Sequence, residues 1–325
     1  MKGRYRITIQ NKRIKYDFEL KRNITIIRGD SATGKTALVD MIREYYENGA
    51  DSGIELKCEK ICTVLEGRNW AAQLSLLKDS IIFIDEGNAF AVSKEFAAAI
   101  QHTDNYYVIV TRESLATLPY SVNEIYGIRN SGKYGYLKQT YNEFYNIYNT
   151  ENLPKNFEPD MVITEDSNSG FQFFSAVCRK NGLECLTSEG KSNVFQYIRK
   201  CQKGNVLIVA DGAAFGPEMD KVMKQIEVQG NATLYLPESF EWLILQAEIV
   251  KDSNVSQILN NPSEYIDAMD FFSWERFFTH LLTEKTKDTY LKYTKSILNP
   301  IYVQEGIEQK ILDKIEKIDF KWKNR

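Results

Sequence analysis

The octet Gly29-Asp30-Ser31-Ala32-Thr33-Gly34-Lys35-Thr36 constrains this chain more than any other stretch of it. It fits G-x-x-x-x-G-K-[ST], a loop whose residue types follow from the needs of a phosphate ligand. Glycines let the main chain curl so that its N–H groups converge on phosphate oxygens. The lysine reaches the β- and γ-phosphates, and the final hydroxyl can ligate Mg2+. Gly29 to Thr36 is therefore expected to hold a nucleotide, with Lys35 as the catalytic cation and Thr36 as a metal ligand. Such an octet arises by chance in roughly one chain of this length in a hundred, so its surroundings have to decide.

The loop follows residues 23–27, a short β-branched run, and precedes residues 36–46, where Leu38, Met41, Ile42 and Tyr45 recur at helical spacing. Strand, loop and helix stand in the order that a P-loop requires. Residues 80–84 are an apolar buried-strand pattern ending in the carboxylates of Asp85 and Glu86, which looks like a Walker B element. Asp85 is then expected to hold Mg2+ through water and Glu86 to polarise the attacking water. Taken alone, the pair also fits an acidic turn after a core strand. A third apolar strand, residues 106–111, follows the helix-like residues 92–100 and ends in Thr111-Arg112. In P-loop ATPases a polar residue at the end of this strand often senses the γ-phosphate, so the resemblance makes Thr111 a nucleotide contact. The alternative is an ordinary strand-end threonine, and Arg112 reads as a surface or partner contact rather than a catalytic finger.

Composition bounds the remainder. With 325 residues, 43% apolar and 26% charged, the chain has the make-up of a globular protein of two or three domains. No apolar run approaches the roughly 18 residues of a membrane span, and residues 1–6 lack a signal peptide's apolar stretch. A cytoplasmic protein with no membrane partner is expected. Five cysteines form no metal-ligand quartet, and an odd number suits a reducing compartment. With only His102 and His280, histidine-rich metal sites and Ser-His-Asp catalysis have little material, so metal chemistry must rest on carboxylates.

The first thirty residues are rich in Lys and Arg within a chain of net charge −3. That basic cast fits a face for nucleic acid or an acidic partner, or a solvated hairpin. Alternation in residues 4–10 and 14–20 supports the hairpin, with Asn11-Lys12 near its turn. A basic hairpin leading into a P-loop strand resembles the start of ABC-type and OLD-type ATPases, although no Leu-Ser-Gly-Gly-Gln-like signature follows. Residues 125–129, a turn through residues 130–133, and residues 134–140 read as a closing hairpin, followed by the tyrosine-rich residues 141–148. A P-loop NTPase domain is thus expected over residues 1–150, with a linker over residues 152–159.

An α/β alternation then begins afresh: strands over residues 161–165, 183–187, 205–211 and 232–236, with helices over 171–180, 194–201 and from Pro217. It predicts a parallel sheet with carboxylates at strand C-terminal ends, where ligands of open α/β sheets bind. Residues 160–245 resemble a Toprim domain, the metal-binding fold of topoisomerases, primases and OLD-family nucleases. Glu165 matches that family's metal-site glutamate, and Asp211 the first aspartate of its Asp-x-Asp-x-x-Gly motif, with Gly216 in the closing place. Residues 190–193 and 236–241 look like post-strand loops of OLD-type Toprim domains. Ala213 stands where the second aspartate belongs, which should weaken a second metal position. Glu218 and Asp220 are expected as substitutes. The bland alternative for Glu165, Asp166 and Asp211 is that acidic strand ends cap neighbouring helices.

Residues 246–325 read as amphipathic helix packing on the second domain. A P-loop ATPase joined to a Toprim-like, Rossmann-like parallel sheet in one chain resembles the ATPase–Toprim proteins of anti-phage defence. The resemblance implies an α/β protein that uses ATP and Mg2+ at one site and acts on nucleic acid at the other, as an oligomer. The rival reading is a nucleotide-controlled regulator whose second domain docks a protein partner.

Overall fold

A computed structural model describes residues 1–29, 33–134, 139–148, 157–201 and 203–320. The chain is α/β, with a large mixed sheet and a second, parallel one. It forms two compact units, Met1–Tyr148 with Asn261–Phe272, and Asn149–Asn260 with Ser273–Arg325. Residues 246–325, expected as one helical extension, therefore divide, with Asn261–Phe272 grouping with the first unit. Among the described residues no helix is long and apolar enough to cross a membrane.

The first unit runs β1 (Tyr5–Gln10), β2 (Ile14–Leu20), β3 (Ile24–Arg28), α1 (Lys35–Asn48), β4 (Glu55–Lys57), β5 (Ile61–Val64), α2 (Trp70–Leu76), β6 (Ser80–Ile84), α3 (Lys94–Ile100), β7 (Tyr106–Val110), β8 (Ile125–Tyr134) and β9 (Thr140–Asn146). Its sheet has the order β4-β1-β2-β9-β8-β3-β7-β6-β5. The stretch β8-β3-β7-β6-β5 is wholly parallel. That follows from the residues: β3, β6 and β7 are buried along their whole length, as strands covered on both faces must be. In β1 buried Tyr5, Ile7 and Ile9 alternate with more exposed residues, and the strand pairs antiparallel with β2 in the expected hairpin. Helix α1 buries Leu38, Val39, Met41 and Ile42 in a core shared with Ile27, Ile81, Phe83 and Val108.

The closing hairpin departs from expectation. Residues 130–133, read as its turn, lie inside β8, and the tyrosine-rich stretch that should follow the hairpin forms its second strand, β9. The pairing shifts register between Asn130 and Tyr134, so a bulge, not a turn, uses the Asn-Ser-Gly residues. The expected linker falls mostly on residues 152–156, outside the described residues.

The second unit runs β10 (Met161–Thr164), α4 (Ser169–Lys180), β11 (Glu184–Thr187), α5 (Val194–Lys200), β12 (Val206–Val209), α6 (Met219–Gln229), β13 (Ala232–Tyr235), α7 (Phe240–Gln246), α8 (Ser253–Asn260), α9 (Trp274–Thr286) and α10 (Glu305–Leu312). Pro217 sits in a single tight turn, Gly216–Glu218, just ahead of α6. All pairs in the sheet β11-β10-β12-β13 are parallel, as predicted. The chain reverses its direction of progress across the sheet between β10 and β12, which makes that gap the switch point where such sheets hold ligands.

Beyond β12 and β13 the two loops nearly touch. The Gly212 N–H donates to the Pro237 carbonyl at 2.6 Å, and a Cβ at Gly212 would lie 2.8 Å from the Leu236 oxygen and 3.0 Å from that of Pro237. Both obstacles are main chain, so neither can rotate away. Gly212→Ala is expected to destabilise the second unit by about 1–3 kcal/mol through forced separation of these loops. Chemical denaturation of the variant checks it; an unchanged midpoint would show that the loops part freely.

Candidate functional site

Two clusters of polar residues stand at the C-terminal ends of buried parallel strands. In the first unit, β7 lies between β3 and β6, with Ile27 opposite Val110 and Ile84 opposite Ile109. This register brings Gly29, Thr111 and Asp85, each just past the end of its strand, to one edge.

Gly29 and Gly34 adopt φ of +131° and +92°, a region that costs other residues strain. Asp30, Ser31 and Ala32 lie outside the described residues. Lys35 is the first residue of α1, and its side chain is buried. Its ammonium donates to the Gly29 carbonyl at 2.7 Å and to Thr33 Oγ1 at 3.1 Å, which offsets the cost of burying a cation. Beneath the loop, the buried Tyr16 hydroxyl donates to the Gly34 carbonyl at 2.7 Å. Burial pushes the Tyr16 pKa up to about 12, against a hydrogen bond from Asn142, so the hydroxyl stays a donor. The first turn of α1 carries no acidic residue, so none of its own carboxylates repels an anion at that N-terminus.

Asp85 is partly buried, and its Oδ1 accepts the Glu86 N–H at 2.8 Å. Burial raises its pKa; the Glu86 N–H works against this, and the charge of Asp40 adds to it before Arg43 partly cancels it. Asp40 and Arg43, whose charges act on Asp85, share one face of α1 with Thr36, at i, i+4 and i+7. Glu86 is ion-paired with Arg112 Nε at 2.6 Å, which gives Arg112 a partner that the sequence did not suggest. Thr111 is buried. Its hydroxyl donates to the Glu113 carbonyl at 3.1 Å and accepts the Glu113 N–H at 3.0 Å, so it is turned onto its own loop.

In the second unit Glu165 and Asp211 end neighbouring strands at the switch point. The Glu165 N–H donates to the Val209 carbonyl at 2.9 Å, and Glu165 Oε2 accepts the Asp211 N–H at 3.1 Å. The two residues that sequence singled out are thus brought together. A small pocket of about 20 Å³, lined by Glu165, Asp166, Asp211 and Gly170 above Phe174 and Phe240, has room for about one water or ion. Burial pushes the Glu165 pKa up to about 7, with the Asp211 N–H opposing and Glu275 adding to the shift. Asp211 is raised well above its ordinary value by burial and by Glu275, Glu165 and Glu241, against Lys295.

Glu218 and Asp220, expected as substitutes for the missing aspartate, are not among the charges that act most on Asp211. Glu241 and Glu275 are, and sequence reasoning gave neither a role. Each lies in the first turn of its helix behind a serine N-cap, Ser239-Phe240-Glu241 for α7 and Ser273-Trp274-Glu275 for α9. That repeated helix start was the available signal. The segment carrying Tyr293 and Lys295 completes the cluster. The Tyr293 hydroxyl donates to Glu241 Oε1 at 2.6 Å and is hydrogen-bonded to Ser169 Oγ, and Lys295 is ion-paired with Glu275. Ala213 is buried, its N–H donating to the Glu238 carbonyl at 3.2 Å. Among the described residues, no three His, Cys, Asp or Glu side chains already converge as a metal cage.

No protein-family model matches the chain, and no curated protein or solved structure matches it significantly.

The raised carboxyl of Glu165 has a thermodynamic consequence. With a folded-state pKa of about 7 against an ordinary 4.5, the folded protein keeps a proton that the unfolded chain has released. The stabilisation is complete below pH 4.5 and is lost as pH rises through about 7. Glu165→Gln should flatten that decline in thermal melts run from about pH 5 to about pH 8. Parallel slopes for the variant and the parent would rule it out.

Proposed function

We propose that the chain is a Mg2+-dependent NTPase, using ATP, whose first unit is coupled to a Toprim-like second unit acting on nucleic acid. The observation that carries the reading is the edge formed by β3, β6 and β7. There a buried lysine, two glycines in positive-φ conformations and a helix whose first turn carries no acidic residue would supply an anion cradle, with Asp85 and Glu86 just past the end of β6. The donors suit a triphosphate: Lys35 reaches its β- and γ-phosphates, Thr36 and Asp85 hold Mg2+, and Glu86 polarises water. Bound Mg2+ would neutralise phosphate charge; the chain's own residues bind, orient and take up the proton of the attacking water. The resemblance to ATPase–Toprim proteins of anti-phage defence supports a role in defence or mobile-element biology.

In the second unit the residues present suit a hard divalent cation. Glu165 and Asp211 share an edge with Glu241 and Glu275 near by, and a bound cation would compete there with the protons that burial favours on Glu165 and Asp211. One observation favours the second reading, a regulator whose second unit docks a partner without catalysis: Ala213, where the family pattern has its second aspartate, is buried.

Lys35→Ala is expected to lower nucleotide turnover by roughly 10²-fold or more, with weakened binding of a fluorescent ATP analogue and an unchanged circular dichroism spectrum. Full turnover in that variant would remove the cradle from consideration. Glu86→Gln should retain ATP and slow its hydrolysis, because it keeps shape while losing the carboxylate. For the second unit, calorimetric titration with Mg2+ or Mn2+ should show binding that Glu165→Ala and Asp211→Ala each abolish, along with any metal-dependent cleavage of nucleic acid. A parent protein inert to both metals decides for the docking reading.

A further inference from the structure

Cys58 and Cys62 flank the joint between the two ends of the large sheet. Among the described residues, β4 and β5 are its edge strands. β4 pairs with β1 and β5 with β6, and only residues 58–60 separate them in the chain. The step from Lys57 to Ile61 can span at most about 14 Å, so the two edges are held close at this point. Cys62 is 3% exposed, within the core that α1 shares, and the half-buried Cys58 packs against the same cluster.

Both sulfurs turn onto Lys60. Cys58 Sγ accepts the Lys60 N–H at 3.5 Å, and the Cys62 thiol donates to the Lys60 carbonyl at 3.7 Å. The two thiols are also hydrogen-bonded to each other. A disulfide needs its sulfurs brought together, and this contact has them side by side. The Cys62 hydrogen bond, working against burial and aided by the Lys60 N–H, pulls the Cys58 thiol down to about 7. Cys62 is raised by its bond to Cys58 and by burial. One contact thus gives the two thiols different roles. The more accessible Cys58 carries the thiolate, and an attacking thiol works best with its pKa near the ambient pH.

We propose that Cys58 and Cys62 are a thiol–disulfide exchange site: a low-molecular-weight disulfide oxidises them to an intramolecular disulfide that fastens the joint between β4 and β5. The Cys58 thiolate attacks one sulfur of the incoming disulfide, whose S–S bond breaks and whose other half departs as a thiolate. Cys58 then bears no charge, which leaves burial alone to hold the proton on Cys62. Cys62 loses that proton and attacks Cys58 Sγ, expelling the second half as a thiolate. Two protein thiols are oxidised by two electrons, one disulfide is reduced to two thiols, and the two protons pass to the departing thiolates. The site stands apart from the nucleotide reading.

Glutathione disulfide is the probe, added to the full chain near neutral pH, with remaining thiols then alkylated and mapped by mass spectrometry. The parent should gain a Cys58–Cys62 crosslink at least roughly tenfold faster than one between Cys178 and Cys185, because Cys178 is buried and the Cys185 thiol is pushed up. Cys62→Ala should stop with glutathione held on Cys58, and Cys58→Ala should leave Cys62 unreacted. The crosslinked parent should melt about 2–5 °C above the reduced one, a rise that treated Cys62→Ala lacks.

A parent that keeps glutathione on Cys58 without closing the crosslink would overturn the inference, as would one that reacts first at Cys185. Both readings come from the parent, so neither depends on a variant folding. A crosslinked parent with an unmoved midpoint would overturn the fastening of the joint.

Discussion

A strand buried on both faces has no water to satisfy a polar side chain along its length, so charge in such a sheet collects where the strands stop. That constraint organises both units. In β3, β6 and β7 every residue is buried, and the residues next in sequence, Gly29, Asp85-Glu86 and Thr111-Arg112, gather at one edge. In β10 and β12 the same rule delivers Glu165 and Asp211 to the switch point, close enough for one carboxylate to accept the other's main-chain N–H.

The two edges differ in charge. The first carries the Lys35 ammonium and a helix N-terminus without an acidic first turn, with Arg112 paired to Glu86. It suits an anion. The second concentrates acceptors, with Glu165, Asp211, Glu241 and Glu275 set mainly against Lys295, and it suits a cation or retained protons. Each edge has its own brace. Tyr16 fixes the Gly34 carbonyl from beneath, and Tyr293 with Ser169 holds Glu241 from behind. These buried hydroxyls carry no charge, yet they limit where the charged groups can point.

Local sequence was enough for the strand–loop–helix order around Lys35, the hairpin of β1 and β2, and the parallel alternation of the second unit. In each case the signal is short-ranged: alternation, a β-branched run before glycine, or apolar spacing along a helix face. It failed at β8 and β9, where Asn130-Ser131-Gly132 reads locally as a turn but the pairing absorbs it as a register shift. Ladder hydrogen bonds with β9 outweighed the residues' own preference.

The sequence by itself determined which groups would stand at strand ends, because burial forbids them a place inside the strands. Only the tertiary structure decided their company. Glu86 meets Arg112 because β6 and β7 are neighbours in the sheet. Glu241, Glu275 and Lys295 reach Asp211 because α7, α9 and the segment after α9 pack within the same unit. Coulomb interaction acts across space with no regard for chain separation, so its partners are fixed by the fold and not by the spacing of residues along the chain.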